Sequence, residues 1–296
     1  MSSRIARRAR SLSALALLSC WALLGAVATS LADTGTTAPK ANPESAEGEP
    51  AAPADIQYPV PVAGGSHWRL ESKRGPIHIW IPDGFTPERA GVVFYVHGYY
   101  DDVDEAWAEH RLAEQFAASG RHALFIVPEA PRRSRHKVRW RNSGELMREV
   151  AMQTGLARPW GPVVAVGHSG AYRTLVAWLD DGTLEQILLL DGLYRKRSAF
   201  QRWLDEPAAV PRRLTLVAMD TIRESDPWVR ELSYARELPW IPEDIGAFPT
   251  DARGARLLLI RSQYDHMEIV TEGRVMPVLL QDTRLPPVTA AASGPR

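Results

Sequence analysis

The chain has 296 residues, 45% of them apolar, with 35 basic side chains balanced by 35 acidic ones. That apolar content excludes an intrinsically disordered protein, and the neutral balance provides no general attraction for nucleic acid. The length accommodates one α/β domain with appendages, and the sequence shows no internal repeat.

Arg4, Arg7, Arg8 and Arg10 open the chain without an acidic residue, and a Leu/Ala-rich apolar run follows over 12–28. Ser30-Leu31-Ala32 has the small-x-Ala pattern of a cleavage site, so residues 1–32 read as a secretory signal peptide. The expectation is an exported protein, periplasmic or extracellular, with no stable membrane span once the leader is removed. A retained leader would tether it to a membrane. Paired Arg7-Arg8 points weakly to twin-arginine export, and lipidation at Cys20 is disfavoured because the apolar run continues through Trp21 to Val27. Cys20 is the only cysteine, so the mature chain would carry no disulfide. Residues 33–57 are rich in Ala, Pro, Thr, Glu and Gly and read as a disordered linker. The folded domain is expected over 58–284, with a disordered tail over 285–296.

Residues 67–72 and 77–82 alternate in polarity and predict a leading hairpin. A buried strand over 91–96 runs into His97-Gly98-Tyr99-Tyr100. The acidic run Asp101, Asp102, Asp104, Glu105 suits a helix start; a metal site is the weaker reading, since no histidine lies at ligand spacing. One helix is expected over 106–119, ended by Gly120, and a strand over 123–127, closed by Pro128. Arg132, Arg133, Arg135, His136, Lys137, Arg139 and Arg141 form a basic loop, read either as a solvated loop or as recognition of an anionic substrate. A helix over 145–153 leads to an apolar run at 163–166. Further strands are expected over 186–190, 214–219 and 257–260, and a last helix over 268–280, bent or ended by Pro277. The aromatic-rich segments 194–203 and 228–248 read as small lids or as packing. Strands alternating with helical patterns imply a mostly parallel sheet flanked by helices, with the chemistry at the carboxyl ends of its strands.

Between the run at 163–166 and a helix over 171–179 stands Gly167-His168-Ser169-Gly170-Ala171. So short a strand-to-helix passage needs small residues two before and two after the serine, and it presents the hydroxyl at the strand end. This is the nucleophile-elbow pattern, Gly-x-Ser-x-Gly with Ala171 in the last place, and over most of 92–266 the chain resembles the α/β-hydrolases. The resemblance implies Ser169 as nucleophile and an oxyanion hole built from a backbone N–H of the loop after His97 (Tyr99, with Gly98 as the alternative) and that of Gly170. It implies His266, past the strand at 257–260, as the general base. For the acid it leaves two candidates, Asp191 and Asp220, each ending a strand; Asp191 is favoured by a thin margin. His97 is expected to brace the loop, His168 to pack, and Asp265 to sit in a turn. No metal and no organic cofactor is called for. The expected substrate is a small-molecule or envelope-derived ester, hydrolysed as by a carboxylesterase or lipase. An amidase or peptidase, an acyl transferase and a non-catalytic binding protein are the alternatives, and the oligomeric state is open.

Overall fold

The computed structural model describes residues 58–289. The expected leader and linker lie outside the described residues. No helix among the described residues is long and apolar enough to cross a membrane.

The chain opens with three short strands, β1 (Val60–Val62), β2 (Gly65–Leu70) and β3 (Ile77–Pro82), paired antiparallel. Then β4 (Gly91–Val96) leads through α1 (Val103–Glu109) and α2 (Leu112–Ala118) to β5 (Ala123–Pro128). Next come α3 (Ser143–Thr154), β6 (Val163–His168), α4 (Tyr172–Trp178), β7 (Gln186–Leu190), α5 (Arg197–Asp205) and β8 (Arg213–Ala218). The chain finishes with α6 (Ile222–Arg230), β9 (Ala235–Leu238), β10 (Leu257–Arg261), α7 (Glu268–Thr271) and α8 (Val275–Gln281). The ten strands among the described residues form one sheet in the order β1-β2-β3-β5-β4-β6-β7-β8-β10-β9. Pairing is parallel from β5 to β9. This mostly parallel sheet with helices on both faces is the α/β-hydrolase fold.

β4 to β8 are buried along their whole length, which is why they read as continuous apolar runs in place of alternating ones. Val92, Phe94 and Val96 point to the face covered by α3 to α6, where Leu146, Trp178, Phe200 and Trp228 pack. Val93 and Tyr95 point to the face covered by α1, α2, α7 and α8, against Leu112, Phe116 and Leu279. From β4 the chain steps one way to β5 and then back across β4 to β6, so the connections on the two sides lie on opposite faces. A crevice opens where the direction reverses, at the carboxyl ends of β4 and β6.

Several expectations need correction. The helix expected over 106–119 is two helices. His110 buries its ring and binds Tyr95 Oη through Nδ1 at 2.8 Å, and Arg111 takes a left-handed φ of 47° to restart the helix. The last helix is likewise divided, at Gly273 with φ of 77°. Pro277 ends nothing: it falls in the first turn of α8, where its missing N–H has no intrahelical acceptor to lose. The tail starts later than residue 285. Leu285 is buried and fills the space that the side-chain-free Gly91 leaves. His122 N–H donates to the Pro286 carbonyl and Val288 N–H to that of Gly120, each at 2.8 Å. β1 and the edge strand β9 are additions, too short to stand out from the sequence pattern.

The segments at 194–203 and 228–248 mainly pack: Phe200, Trp203, Trp228 and Phe248 are all buried. Trp178 joins α4 to the sheet. It meets Phe94 edge-on at 5.4 Å and donates its indole N–H to the Trp140 carbonyl at 2.9 Å. Trp178→Ala is expected to cost about 3–5 kcal/mol of unfolding free energy, read from urea denaturation, with a looser elbow helix as its signature.

Candidate active site

Ser169 follows β6 directly, with a left-handed φ of 51° that a non-glycine residue adopts only under constraint. Two glycines make the turn possible. A Cβ on Gly167 would stand 2.7 Å from Leu175 Cδ1, and one on Gly170 would lie 2.6 Å from the Tyr99 ring. Gly98 brings the loop after β4 against the elbow; a Cβ there would be 3.0 Å from that of Ser169. Tyr100 donates its N–H to the Arg132 carbonyl at 2.9 Å, whereas that of Tyr99 finds no acceptor among the described residues. His97 braces this loop: Nε2 accepts the Ala130 N–H at 2.9 Å, which leaves Nδ1–H to donate to the Gly98 carbonyl at 2.9 Å.

His266 lies between β10 and α7, in a turn that Asp265 organises by accepting the N–H groups of Met267 and Glu268. Its Nδ1 is 2.7 Å from Asp191 Oδ2 and 3.9 Å from Asp220 Oδ2. The two aspartates differ more in surroundings than in distance. Asp220 is exposed. Asp191 has 0% exposure, at the end of β7 with a φ of 43°. Its Oδ1 accepts the Met219 N–H (3.0 Å), the Thr221 N–H (2.9 Å) and the Thr221 hydroxyl (2.8 Å). Its Oδ2 accepts the Asp220 N–H (3.1 Å) as well as His266. Burial pushes this carboxyl toward neutrality, but the hydrogen bonds from His266 and from Thr221 and Met219 outweigh it, and the pKa falls well below the usual carboxylate range. The bond to Asp191 in turn raises the His266 pKa above 6.5, against the opposing effect of burial.

The other histidines of the site are held neutral. His168 is pushed down to about 3 by burial, with His266 and His110 repelling its charged form. Its Nε2–H donates to the His266 carbonyl at 3.1 Å, tying the histidine loop to the elbow. Burial takes His97 and His110 each to about 4.

Ser169, Gly170 and His266 line one cleft of about 400 Å³ together with Tyr99, Tyr100, Tyr172 and Tyr194. Tyr194 stands out only in the structure. It lines the cleft with Ser169, and burial and Asp191 push its hydroxyl up to about 12. The sequence marks it only as the first aromatic of the segment at 194–203, read there as a lid or as packing. The acidic run after β4 has structural duties. Asp102 and Glu105 exchange backbone hydrogen bonds in a capping box, and Asp104 pairs with Arg69 and His78. Asp191, Asp220 and His266 are close enough together to bind a cation. The five donors already on Asp191 leave its oxygens little capacity for one.

The sequence matches no protein-family model and no curated protein. Solved structures similar to the chain include an S-formylglutathione hydrolase from Agrobacterium tumefaciens (12% identity, TM-score 0.49, covering 78% of this chain and 100% of that one). A feruloyl esterase module from Clostridium thermocellum has 10% identity and a TM-score of 0.49, over 76% of this chain and 93% of that one. The fluorophosphonate-binding serine hydrolase FphF from Staphylococcus aureus has 11% identity and a TM-score of 0.47, over 73% and 97%.

The opposed shifts of His266 and Asp191 fix a pH dependence. A raised histidine contributes stability that is complete below 6.5 and fades as pH climbs through the folded value. A depressed aspartate contributes stability that is complete above 3.8 and fades on acidification. Urea melts of wild type and His266→Gln are expected to differ most between about pH 4.5 and 6, and to draw together on the alkaline side.

Proposed function

We propose that the protein is a serine hydrolase that cleaves carboxylic esters through an acyl-enzyme. The observation that carries this reading is the buried Asp191 carboxylate on Nδ1 of His266, in a cleft that His266 shares with Ser169. With Nδ1–H committed to Asp191, neutral His266 keeps its proton off Nε2, the nitrogen a general base needs.

In this mechanism Ser169 Oγ attacks the ester carbonyl carbon while its proton passes to His266 Nε2. The carbonyl π-bond opens, and the oxyanion takes up the backbone N–H groups of Gly170 and of Tyr99 or Gly98. The carbonyl re-forms, the ester C–O bond breaks, and His266 hands the proton to the leaving alcohol. Water then repeats the sequence on the acyl-enzyme, releasing the acid and restoring Ser169. Asp191 stays ionised throughout and stabilises the imidazolium, consistent with its depressed pKa.

A fluorophosphonate probe is expected to label the protein at Ser169, and Ser169→Ala to abolish both labelling and hydrolysis of p-nitrophenyl esters. Asp191→Asn is expected to lower kcat by about 10⁴-fold, whereas Asp220→Asn changes it only a few-fold. Hydrolysis that survives Ser169→Ala would overturn the reading.

A further inference from the structure

Charge is divided unequally around the mouth of the cleft. On the α4 side, Arg173 lies 3.3 Å from Tyr99 Oη and donates to the carbonyls of Ser134 (2.5 Å) and His136 (2.9 Å). Those bonds pin the basic loop to the tyrosine wall of the cleft, with Arg133, Arg135 and Lys137 exposed. From the end of β7 a second basic segment reaches the same wall. Arg195 directly follows Tyr194, which lines the cleft. Tyr172 and Tyr194 are neighbours, their rings 6.3 Å apart. Arg132 and Arg139 of the same loop are ion-paired, with Asp102 and Glu129. Among the described residues, Arg133, Arg135, Arg173 and Arg195 have no carboxylate partner. Two segments distant in sequence thus carry unneutralised cations next to the tyrosines that line one cleft.

The acids gather near His266: Asp265 adjoins it and Asp220 lies 3.9 Å from its Nδ1, while Asp101 lines the cleft from the loop that also carries Tyr99.

Resting on the serine hydrolase reading, the chemistry gives this division a direction. His266 protonates the leaving oxygen, so the alcohol departs on the acidic side, and the acyl group extends across Ser169 toward the tyrosines and the arginines. We infer that the substrate is an ester whose acyl part carries a carboxylate at the end of an apolar or aromatic stem. The stem lies along Tyr99, Tyr172 and Tyr194, and the carboxylate meets the arc of Arg133, Arg135 and Arg195. An anionic alcohol group would meet Asp220 and Asp265 and be disfavoured.

The test compares mono-p-nitrophenyl adipate with p-nitrophenyl hexanoate, which differ in the charge at the end of the acyl chain. At low salt the adipate is expected to have a kcat/KM about tenfold higher or more, and about 1 M NaCl to remove most of that advantage. Arg195→Glu and the double variant Arg133→Glu/Arg135→Glu are each expected to cut the adipate-to-hexanoate ratio about tenfold. Arg158→Glu, at the opposite end of the sheet, is expected to leave the ratio unchanged. Because each ratio is taken within one protein, partial misfolding cancels. Equal kcat/KM for the two esters at low salt, or variants that slow both in proportion, would overturn the inference while leaving the hydrolase reading intact. Failure of both esters, with no fluorophosphonate labelling of Ser169, would overturn the two together.

Discussion

A carboxylate wholly removed from water is costly unless every lone pair is occupied, and Asp191 meets that condition with five donors. Four of them come from Met219, Asp220 and Thr221, the turn that ends β8. The charge therefore locks the carboxyl ends of two neighbouring strands together before His266 is considered. The fifth donor, His266 Nδ1, links that cradle to the chain beyond β10. Removing Asp191 would unbind the β8 turn and release His266 at once, so structure and proposed chemistry share a single ion.

The neutral histidines around this ion are part of the same design. His168 and His266 lie 4.6 Å apart, ring to ring, and two imidazolium ions at that distance would repel strongly. Burial prevents this by keeping His168 uncharged, so the proton capacity of the site is concentrated on His266, the one with the carboxylate. His168 contributes through its Nε2–H, which holds the His266 backbone carbonyl. The elbow thus carries both the serine and a strut for the base expected to serve it.

Ser169 was legible because its signal is local: a strand, small residues at fixed offsets and a helix are all written within 161–179. The choice between Asp191 and Asp220 was not. Both end apolar strands, and 2.7 Å against 3.9 Å is decided by backbone conformation that spacing does not encode. A trace of it is present in Asp191-Gly192. A Cβ on Gly192 would stand 2.9 Å from the Ser169 carbonyl, so the glycine lets the β7 end close on the elbow. The broken helix at His110 was hidden for a related reason. Its apolar period continues through the break, and only the tertiary bond to Tyr95 and the turn at Arg111 interrupt it. The residues after 285 misled in the opposite sense, because a Pro-rich composition says nothing of backbone pairing with 120–122.

Topology accounts for part of the charge pattern around the cleft. Loops after β5, β6, β7 and β8 feed α3, α4, α5 and α6 on one face, while those after β4 and β10 feed α1 and α7 on the other; Asp220, after β8, is the acid that lies with the basic set. The sheet plane thus separates two sets of loops that meet only at its carboxyl edge. Acids on the α1 and α7 side have local duties: Asp102 caps α1, and Asp265 holds the turn before α7. The cations on the α4 side have no such local reward: Arg173 spends its donors on loop carbonyls, and Arg133 and Arg135 stand exposed beyond it. Arg173 thus holds a loop whose exposed Arg133 and Arg135 have no carboxylate partner among the described residues, the charge that the proposed anionic acyl group would meet.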